Sequence, residues 1–213
     1  MISKFMNLEL EKRERIINAA LKEFAQKGYK NASTNEIVKE ANISKGLLFH
    51  YFNNKKNLFR FLYDYTVEIF LKEFYDKLEF NETDIIKRWR QIALLKIKLI
   101  QNNPELYNFM VASATDDSVN VEIKQEIENK SKAIFEDFSV RLMVNIDTSK
   151  FKEGLNIQHV SEIIIWVAQG FGNRELEKLK HSPVYKTKYD LNLIMGEFDG
   201  YIELLKGAFY KNN

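Results

Sequence analysis

Residues 33–56, STNEIVKEANISKGLLFHYFNNKK, decide the fold of this chain. Their spacing predicts two short helices joined by a tight turn and followed by the start of a third. Ser33 and Glu36 have the spacing of a capping box, in which each side chain bonds the other residue's backbone amide. Ser44 is a second predicted N-cap, which opens the next helix. Asn42 lies between the helices and enters the left-handed backbone region more cheaply than most residues, so the chain can turn there.

The order of helix, turn and helix is that of a helix-turn-helix, in which the second helix lies in the major groove of DNA. On that helix Leu48 and Phe52 are four residues apart, so both are expected to point inward. Gly46 lies in its first turn, where the missing side chain lets a backbone come close to a phosphate. The pattern therefore predicts a helix whose outer face is available to DNA.

Charge is distributed unevenly along the chain. Residues 1–60 contain 12 Lys plus Arg and 6 Asp plus Glu, a net charge of +6, and since the whole chain carries +2 the remainder carries −4. The segment 41–63 contains no Asp or Glu. Its basic residues are Lys45, Lys55, Lys56 and Arg60. A basic stretch without acids over a helix pair is typical of an electrostatic footprint for a polyanion.

Three runs of sequence carry a family resemblance: IINAALKEFAQKGY at 16–29, STNEI at 33–37 and ANISKGLLFHYFNNKKNL at 41–58. Together they closely resemble the DNA-binding domain of the TetR family of bacterial transcriptional regulators. The resemblance implies an all-helical homodimer whose larger C-terminal domain holds a small-molecule effector. Two positions depart from the family pattern. Asn42 replaces the usual glycine of the turn, and Phe49 replaces the usual tyrosine, which removes a hydroxyl contact.

The candidate DNA contacts divide into two groups. Polar side chains are assigned to phosphates, and these are Ser33, Thr34, Ser44, Tyr51 and Lys55. Outward residues of the second helix are assigned to base edges, and these are Lys45, Leu47, Phe49 and His50. Gly46 is assigned to a close approach between the helix backbone and the DNA. Lysine can meet guanine acceptors, and the apolar pair can touch thymine methyl groups. The alternative is that Phe49 and Tyr51 are packing residues and Lys45 is a solvated lysine.

The whole chain is predicted to be all-α, because only 2 prolines and 8 glycines interrupt it and no segment alternates like a half-buried strand. We predict a three-helix DNA-binding domain over 1–53 and a larger helical domain for effector binding and dimerisation over 54–213. Helices are expected over 8–27, 54–78, 84–101, 119–144, 157–179 and 188–210, with a short one from Pro104. Gly28 is the predicted stop of the first.

The last two predicted helices indicate a homodimer. The final one carries a wide apolar stripe of Leu191, Ile194, Met195, Phe198, Tyr201, Ile202, Leu205 and Phe209. In the resembled family these two helices of each subunit form a four-helix interface, and Gly170 and Gly172 would permit close approach. The alternative is packing within one chain, since helical stripes are more often core than interface.

The resemblance also implies a repressor that a small hydrophobic ligand releases from a palindromic DNA operator. We place the ligand pocket between the helices that begin near 54, 84, 104 and 157. Its possible lining residues are Tyr63, Trp89, Phe109, Met110, Trp166, Gln169 and Asn173. The alternative is a DNA-bound helical adaptor whose C-terminal domain binds a partner protein. An internal pocket would favour the ligand, and an exposed apolar patch would favour the partner.

Other classes of protein find little support in the residues. The chain has no cysteine, and a pair such as His159 and Glu162 lacks a third metal ligand. No glycine-rich phosphate loop, nucleophile elbow or H-E-x-x-H pattern is present. We therefore predict no enzyme activity, catalytic residue, metal or cofactor. The first residues do not form a secretory leader and no apolar run reaches membrane-spanning length, so a cytoplasmic protein without a membrane partner is expected.

Overall fold

The computed structural model describes residues 2–78, 81–181 and 191–211. Within these ranges the chain forms ten α-helices, one short 3₁₀-helix at Thr148–Lys150 and no β-strand, so the all-α prediction is confirmed. The α-helices are α1 (Ile2–Met6), α2 (Leu10–Asn31), α3 (Thr34–Glu40), α4 (Lys45–Phe52), α5 (Lys55–Tyr75), α6 (Ile85–Asn102), α7 (Pro104–Thr115), α8 (Val121–Leu142), α9 (Ile157–His181) and α10 (Leu191–Phe209).

Two compact units make up the described chain. The first comprises Met1–Asp76 and Leu99–Phe135, and the second comprises Lys77–Lys98 and Glu136–Asn213. The first unit thus contains α1 to α5 together with α7 and the beginning of α8. The domain boundary at residue 53 stays a prediction.

The predicted helix spans agree with the observed ones to within a few residues. Pro104 is the first residue of α7, as its fixed backbone angle and missing amide favour. The predicted start of the last helix at residue 188 lies outside the described residues.

Helix α1 is a feature that the sequence pattern does not predict. It has five residues, too few to show helical periodicity, and its one buried side chain is Phe5. The Phe5 ring is fully buried, with its centroid 5.5 Å from Tyr51, 4.8 Å from Phe52 and 5.2 Å from Phe61. Helix α1 therefore covers the inner side of α4 and the start of α5.

The second unit is organised around Asp84, which is buried at the N-terminus of α6. Its Oδ1 accepts hydrogen bonds from the Ile86 amide at 3.0 Å and from the Tyr210 hydroxyl at 2.7 Å. Its Oδ2 accepts from Lys150 Nζ at 3.0 Å. Burial opposes ionisation of this carboxyl, but the hydrogen bonds from Tyr210, the Lys87 amide and Lys150 outweigh it and lower the pKa of Asp84. The carboxylate therefore joins three separate parts of the chain.

One turn further along α6, the guanidinium of Arg88 is fully buried. It donates to the carbonyls of Glu82 at 2.7 Å, Leu142 at 2.6 Å and Val144 at 2.8 Å. The last carbonyls of a helix have no amide partner within the helix. Arg88 therefore satisfies the end of α8, and burial lowers the pKa of Arg88 although the charge of Glu82 opposes this shift.

Gly28, the predicted stop of the first helix, interrupts the regular helical geometry of α2, which continues to Asn31. Its backbone angles, φ +70° and ψ 171°, belong to a region that is essentially restricted to glycine. The following amides bond the loop between α7 and α8, with Tyr29 N donating to Asp116 Oδ2 at 2.5 Å and Lys30 N donating to Ser118 Oγ at 3.1 Å. A Cβ on Gly28 would lie 2.7 Å from Asp116 Oδ2. The glycine thus allows this close approach.

We expect Gly28→Ala to lower the free energy of unfolding by about 1–3 kcal/mol, because alanine is strained at this φ and would displace the Asp116 carboxylate. Urea denaturation followed by circular dichroism measures the change. Gly46→Ala is the matched control, since no atom lies within 4 Å of a Cβ at that helical position and alanine favours a helix. Equal stability of Gly28→Ala and the unsubstituted protein would contradict this expectation.

Candidate DNA-binding site

Helices α3 and α4 are joined by the tight turn that the sequence predicts. Asn42 has φ +51°, which confirms the left-handed turn at this residue. The Ile43 amide then donates to the carbonyl of Val38 at 3.0 Å, which closes the turn. Ser44 is confirmed as the N-cap of α4, because its Oγ accepts from the Leu47 amide at 3.2 Å.

The predicted capping box at the start of α3 is wrong. Ser33 is the N-cap by position, but among the described residues its hydroxyl accepts no capping hydrogen bond. Its amide donates instead to Glu23 Oε1 of α2, at 2.9 Å, and Glu36 stays exposed. A carboxylate from α2 therefore takes the place that the sequence assigns to Glu36, and it fastens α3 to α2.

The faces of α4 are distributed as predicted. Leu48 and Phe52 are buried. Four of the other residues are exposed to solvent, and these are Ser44, Lys45, Gly46 and His50. Three are partly exposed, and these are Leu47, Phe49 and Tyr51. Tyr51 is partly a packing residue, since its ring contacts Phe5, and Lys45 Nζ lies 5.9 Å from the Phe49 ring centroid. The outer side of α4 is therefore a solvent-exposed surface of mixed polar and aromatic side chains.

The N-terminus of α5 lies beside the end of α2. Asn54 is its N-cap, with Oδ1 accepting from the Asn57 amide at 2.8 Å. Lys55 Nζ donates to the carbonyls of Lys30 at 3.1 Å and Ala32 at 3.2 Å, and lies 5.2 Å from the Tyr29 ring centroid. Lys55 therefore has a packing role that the sequence did not indicate. Its contact with phosphate stays a prediction, as do the contacts assigned to Ser33 and Thr34, both partly exposed.

Two of the four basic residues in 41–63 are paired with acids of α8. Glu122 accepts from Lys56 Nζ and, at 3.0 Å, from an Arg60 guanidinium nitrogen. Glu126 also accepts from Arg60. No local pattern indicates this pairing, because the acids lie more than 60 residues further along the chain. The local charge left for a polyanion is therefore smaller than the sequence count indicates.

The candidate ligand residues are divided between the two compact units. Tyr63, Phe109 and Met110 belong to the first, and Trp89, Trp166, Gln169 and Asn173 belong to the second. Phe109 is fully buried against Phe24 and Phe59. Tyr63 shares a hydrogen bond of 3.2 Å with the Ser131 hydroxyl. Their role as a pocket lining stays a prediction.

The second unit holds the two tryptophans in contrasting environments. Trp89 is buried with its ring edge-on to Phe138, and within the described chain its indole Nε1 has no hydrogen-bond acceptor. Trp166 is 63% exposed on α9. Gln169 is partly exposed and Asn173 is exposed.

A groove of about 500 Å³ lies on the first unit, along the second half of α5. Its lining residues are Asp64, Val67, Glu68, Leu71, Lys72, Tyr75 and Lys130. None of these residues was predicted from the sequence to contact a ligand. Most of them lie at helical spacing on α5, and that pattern does not distinguish a groove from an ordinary helix surface.

The described part of the chain offers neither a cluster of metal ligands nor a helix that could span a membrane. Nowhere in it do three or more His, Asp or Glu side chains come together in a group that could hold a metal ion. None of its helices combines the length and the apolar composition needed to cross a lipid bilayer.

Known proteins share two features with this chain. One is the DNA-binding head, which comprises α2 to α4 and the start of α5, and the other is the overall fold. The family model "Bacterial regulatory proteins, tetR family" matches residues 16–61. The uncharacterized HTH-type transcriptional regulator YhgD of Bacillus subtilis strain 168 is 30% identical over 142 residues, which cover 59% of this chain and 72% of YhgD. The fatty acid metabolism regulator protein of the same strain is 24% identical over 153 residues, covering 70% of this chain and 75% of that protein.

Solved structures with the same architecture cover almost the whole chain. A TetR family transcriptional regulator from Chloroflexus aurantiacus J-10-FL superposes with a TM-score of 0.67 at 22% identity, covering 99% of this chain and 98% of the other. The transcriptional regulator FadR of Bacillus subtilis in complex with stearoyl-CoA gives a TM-score of 0.59 at 18% identity, covering 90% of this chain and 96% of FadR.

The exposed α4 of the helix-turn-helix and the all-helical remainder define a helix-turn-helix transcriptional regulator, a class that acts by binding DNA and not by catalysis. The chain belongs to the TetR family of bacterial regulatory proteins.

We expect Lys45→Ala to weaken operator binding by about 1–3 kcal/mol and to relax the preference for one base pair, because a side chain that reads a guanine edge contributes that much discrimination. Fluorescence anisotropy titration with the DNA upstream of the protein's own gene measures both effects. Lys98→Ala, which removes the same charge from an exposed position on α6, is the control. If the two variants bind equally tightly, the assignment of Lys45 to a base edge is wrong.

Proposed function

We propose that this TetR-family regulator is a cytoplasmic repressor that binds a pseudo-palindromic operator as a homodimer and leaves it when a small hydrophobic ligand binds. The observation that carries the proposal is an apolar face on α9 and α10 that is exposed to solvent and could bind a second copy of the chain. The outer side of α4 is also exposed, so it is accessible to DNA. A single helix-turn-helix reads few base pairs, so specificity requires two heads about one DNA turn, roughly 34 Å, apart.

The apolar stripe of α10 serves the core of its own unit. Met195, Phe198, Ile202 and Leu205 are buried. Phe198 packs on Phe171 of α9, with ring centroids 4.9 Å apart. These members of the predicted dimer stripe are therefore intrachain packing residues, the alternative that the sequence left open.

A second apolar face of α9 and α10 remains exposed. Its members are Leu193, which is 73% exposed, Leu204, 72%, Trp166, 63%, and Ile163 and Tyr201, both 37%. Gly170 and Gly200 lie at helical spacing with Trp166 and Leu204, and no atom lies within 4 Å of a Cβ built on either. Exposed large apolar side chains beside small residues favour close packing with another helix pair. This supports a dimer through these two helices, with Leu193, Leu204 and the stripe member Tyr201 in place of the buried stripe residues.

We expect Leu204→Glu to weaken the dimer by at least about 2 kcal/mol, because a carboxylate would be buried without a partner in a helix-to-helix interface. Analytical ultracentrifugation over a dilution series measures the dissociation constant. Val140→Glu is the control, since Val140 is 71% exposed on α8 and lies outside the proposed interface. A monomer at all concentrations for the unsubstituted protein, or an unchanged dimer for Leu204→Glu, would refute the interface.

The ligand class is inferred from similarity and from one buried group. FadR of Bacillus subtilis was solved with stearoyl-CoA, and its architecture covers 90% of this chain. The fatty acid metabolism regulator protein of that species is also a sequence relative. The indole N–H of Trp89 is a buried donor without an acceptor in the described chain, and a ligand carbonyl would satisfy it. These observations support a long-chain acyl-CoA thioester as the effector.

We expect stearoyl-CoA to raise the melting temperature and to lower the affinity for operator DNA, because a ligand that prefers one state shifts the population toward it. At a ligand concentration of 100 times the dissociation constant the stabilisation is about 2.7 kcal/mol. Trp89→Phe should reduce the shift in melting temperature, whereas Val140→Ala, at an exposed position outside the proposed pocket and the proposed interface, is the control.

Stearate and free coenzyme A, tested separately, show which part of the thioester is recognised. No thermal shift with stearoyl-CoA, stearate or coenzyme A would rule out the acyl-CoA class. That result would favour the alternative of a DNA-bound adaptor whose helical domain binds a partner protein.

A further inference from the structure

Two acids of α8, Glu122 and Glu126, form ion pairs with basic residues at the start of α5, in the DNA-binding head. Lys56 is the second residue of α5, next to Lys55, and its ammonium binds Glu122. Arg60, one turn further along, binds both Glu122 and Glu126. All four residues belong to the first compact unit.

The ion pairs between α8 and the start of α5 are accessible to solvent. The side chains of Lys56 and Arg60 are 31% and 28% exposed, and that of Glu122 is 61% exposed. Hydrogen bonds from Lys56 and Arg60 lower the pKa of Glu122. Ion pairs at such exposure are weak and screened by salt, so a DNA phosphate can compete for the cation.

The location of Lys56 makes this competition relevant to DNA. The N-terminus of a helix attracts phosphate, because its free amides and the helix dipole favour an anion. Lysines in the first turn of α5 add to that attraction when they carry an unpaired charge. A carboxylate on Lys56 cancels its contribution and places a negative charge beside this helix N-terminus.

We propose that Glu122 is an affinity-determining residue, which withholds Lys56 from the DNA backbone and so limits the electrostatic part of DNA binding. Glu126 secures Arg60 in the same way, so Arg60 stays paired when Glu122 is removed. The inference rests on DNA binding through the helix-turn-helix and does not depend on the operator sequence or the effector. The head consequently binds DNA less tightly than its count of lysines and arginines implies.

The test compares variants for binding to a short mixed-sequence DNA duplex, by fluorescence anisotropy over a range of salt concentrations. We expect Glu122→Gln to bind about fivefold more tightly at low salt than the control Glu128→Gln, which removes the same charge from an exposed site on α8. The slope of log affinity against log salt should steepen by about 1, as expected for one additional phosphate contact.

A double-mutant cycle separates direct competition from a general effect of charge. Lys56→Gln alone should change the affinity by less than about twofold, because Glu122 already neutralises that lysine. In the Glu122→Gln background, Lys56→Gln should remove the whole gain. Thermal melting by circular dichroism verifies that each variant is folded.

Three results would overturn the inference. These are equal affinities for Glu122→Gln and Glu128→Gln, weaker binding by a folded Glu122→Gln, or the same loss from Lys56→Gln in both backgrounds. The second result would show that the ion pairs align the head for binding. Failure of every variant, and of the unsubstituted protein, to bind any duplex would instead contradict DNA binding itself.

Discussion

Three phenylalanine rings from distant parts of the chain meet in the first unit, and the DNA-binding head depends on their contact. Phe24 of α2, Phe59 of α5 and Phe109 of α7 are almost completely buried, with centroids 5.1 to 6.2 Å apart and edge-to-face geometry. Such pairs contribute about 0.5–1.5 kcal/mol each beyond the burial of their area. Because α5 begins directly after α4, anchoring Phe59 also sets the position of the recognition helix. The head is therefore built partly from a helix that lies some fifty residues beyond the helix-turn-helix.

Features that depend on neighbouring residues could be predicted from the sequence. The left-handed Asn42, the Ser44 cap and the inward pair Leu48 and Phe52 each follow from a local rule, so α3 and α4 could be placed with good accuracy. Contacts between distant segments could not be predicted in this way. Glu23 replaces Glu36 as the partner of the Ser33 amide because α2 packs against α3, a fact absent from the spacing of residues 33–36. The burial of Phe5 is a similar case, since one aromatic residue in a short segment shows no periodicity.

The charge of residues 41–63 likewise depends on contacts that a count along the sequence does not show. A count over 41–63 finds four cations and no acid, but the fold brings Glu122 and Glu126 to Lys56 and Arg60 and turns Lys55 toward the carbonyls at the end of α2. Lys45 stays on the exposed face of α4. Apolar residues on α10 also divide differently from the predicted stripe, because burial is decided by what packs on each face. Sequence periodicity shows that a helix is amphipathic. Only the packing of the folded chain shows which of two apolar faces is buried by neighbouring helices.

The dependence of the head on Phe5 and Asp116 limits how it can be exchanged between regulators. The family motif covers residues 16–61, yet Phe5 precedes it and Phe109 and Asp116 follow it. A chimaera that joined only the motif to a foreign body would expose Phe24, Phe59 and the inner side of α4, and would leave the amide of Tyr29 without its carboxylate acceptor. A transplant that retains its specificity must carry α1 and the α7 segment along with the motif.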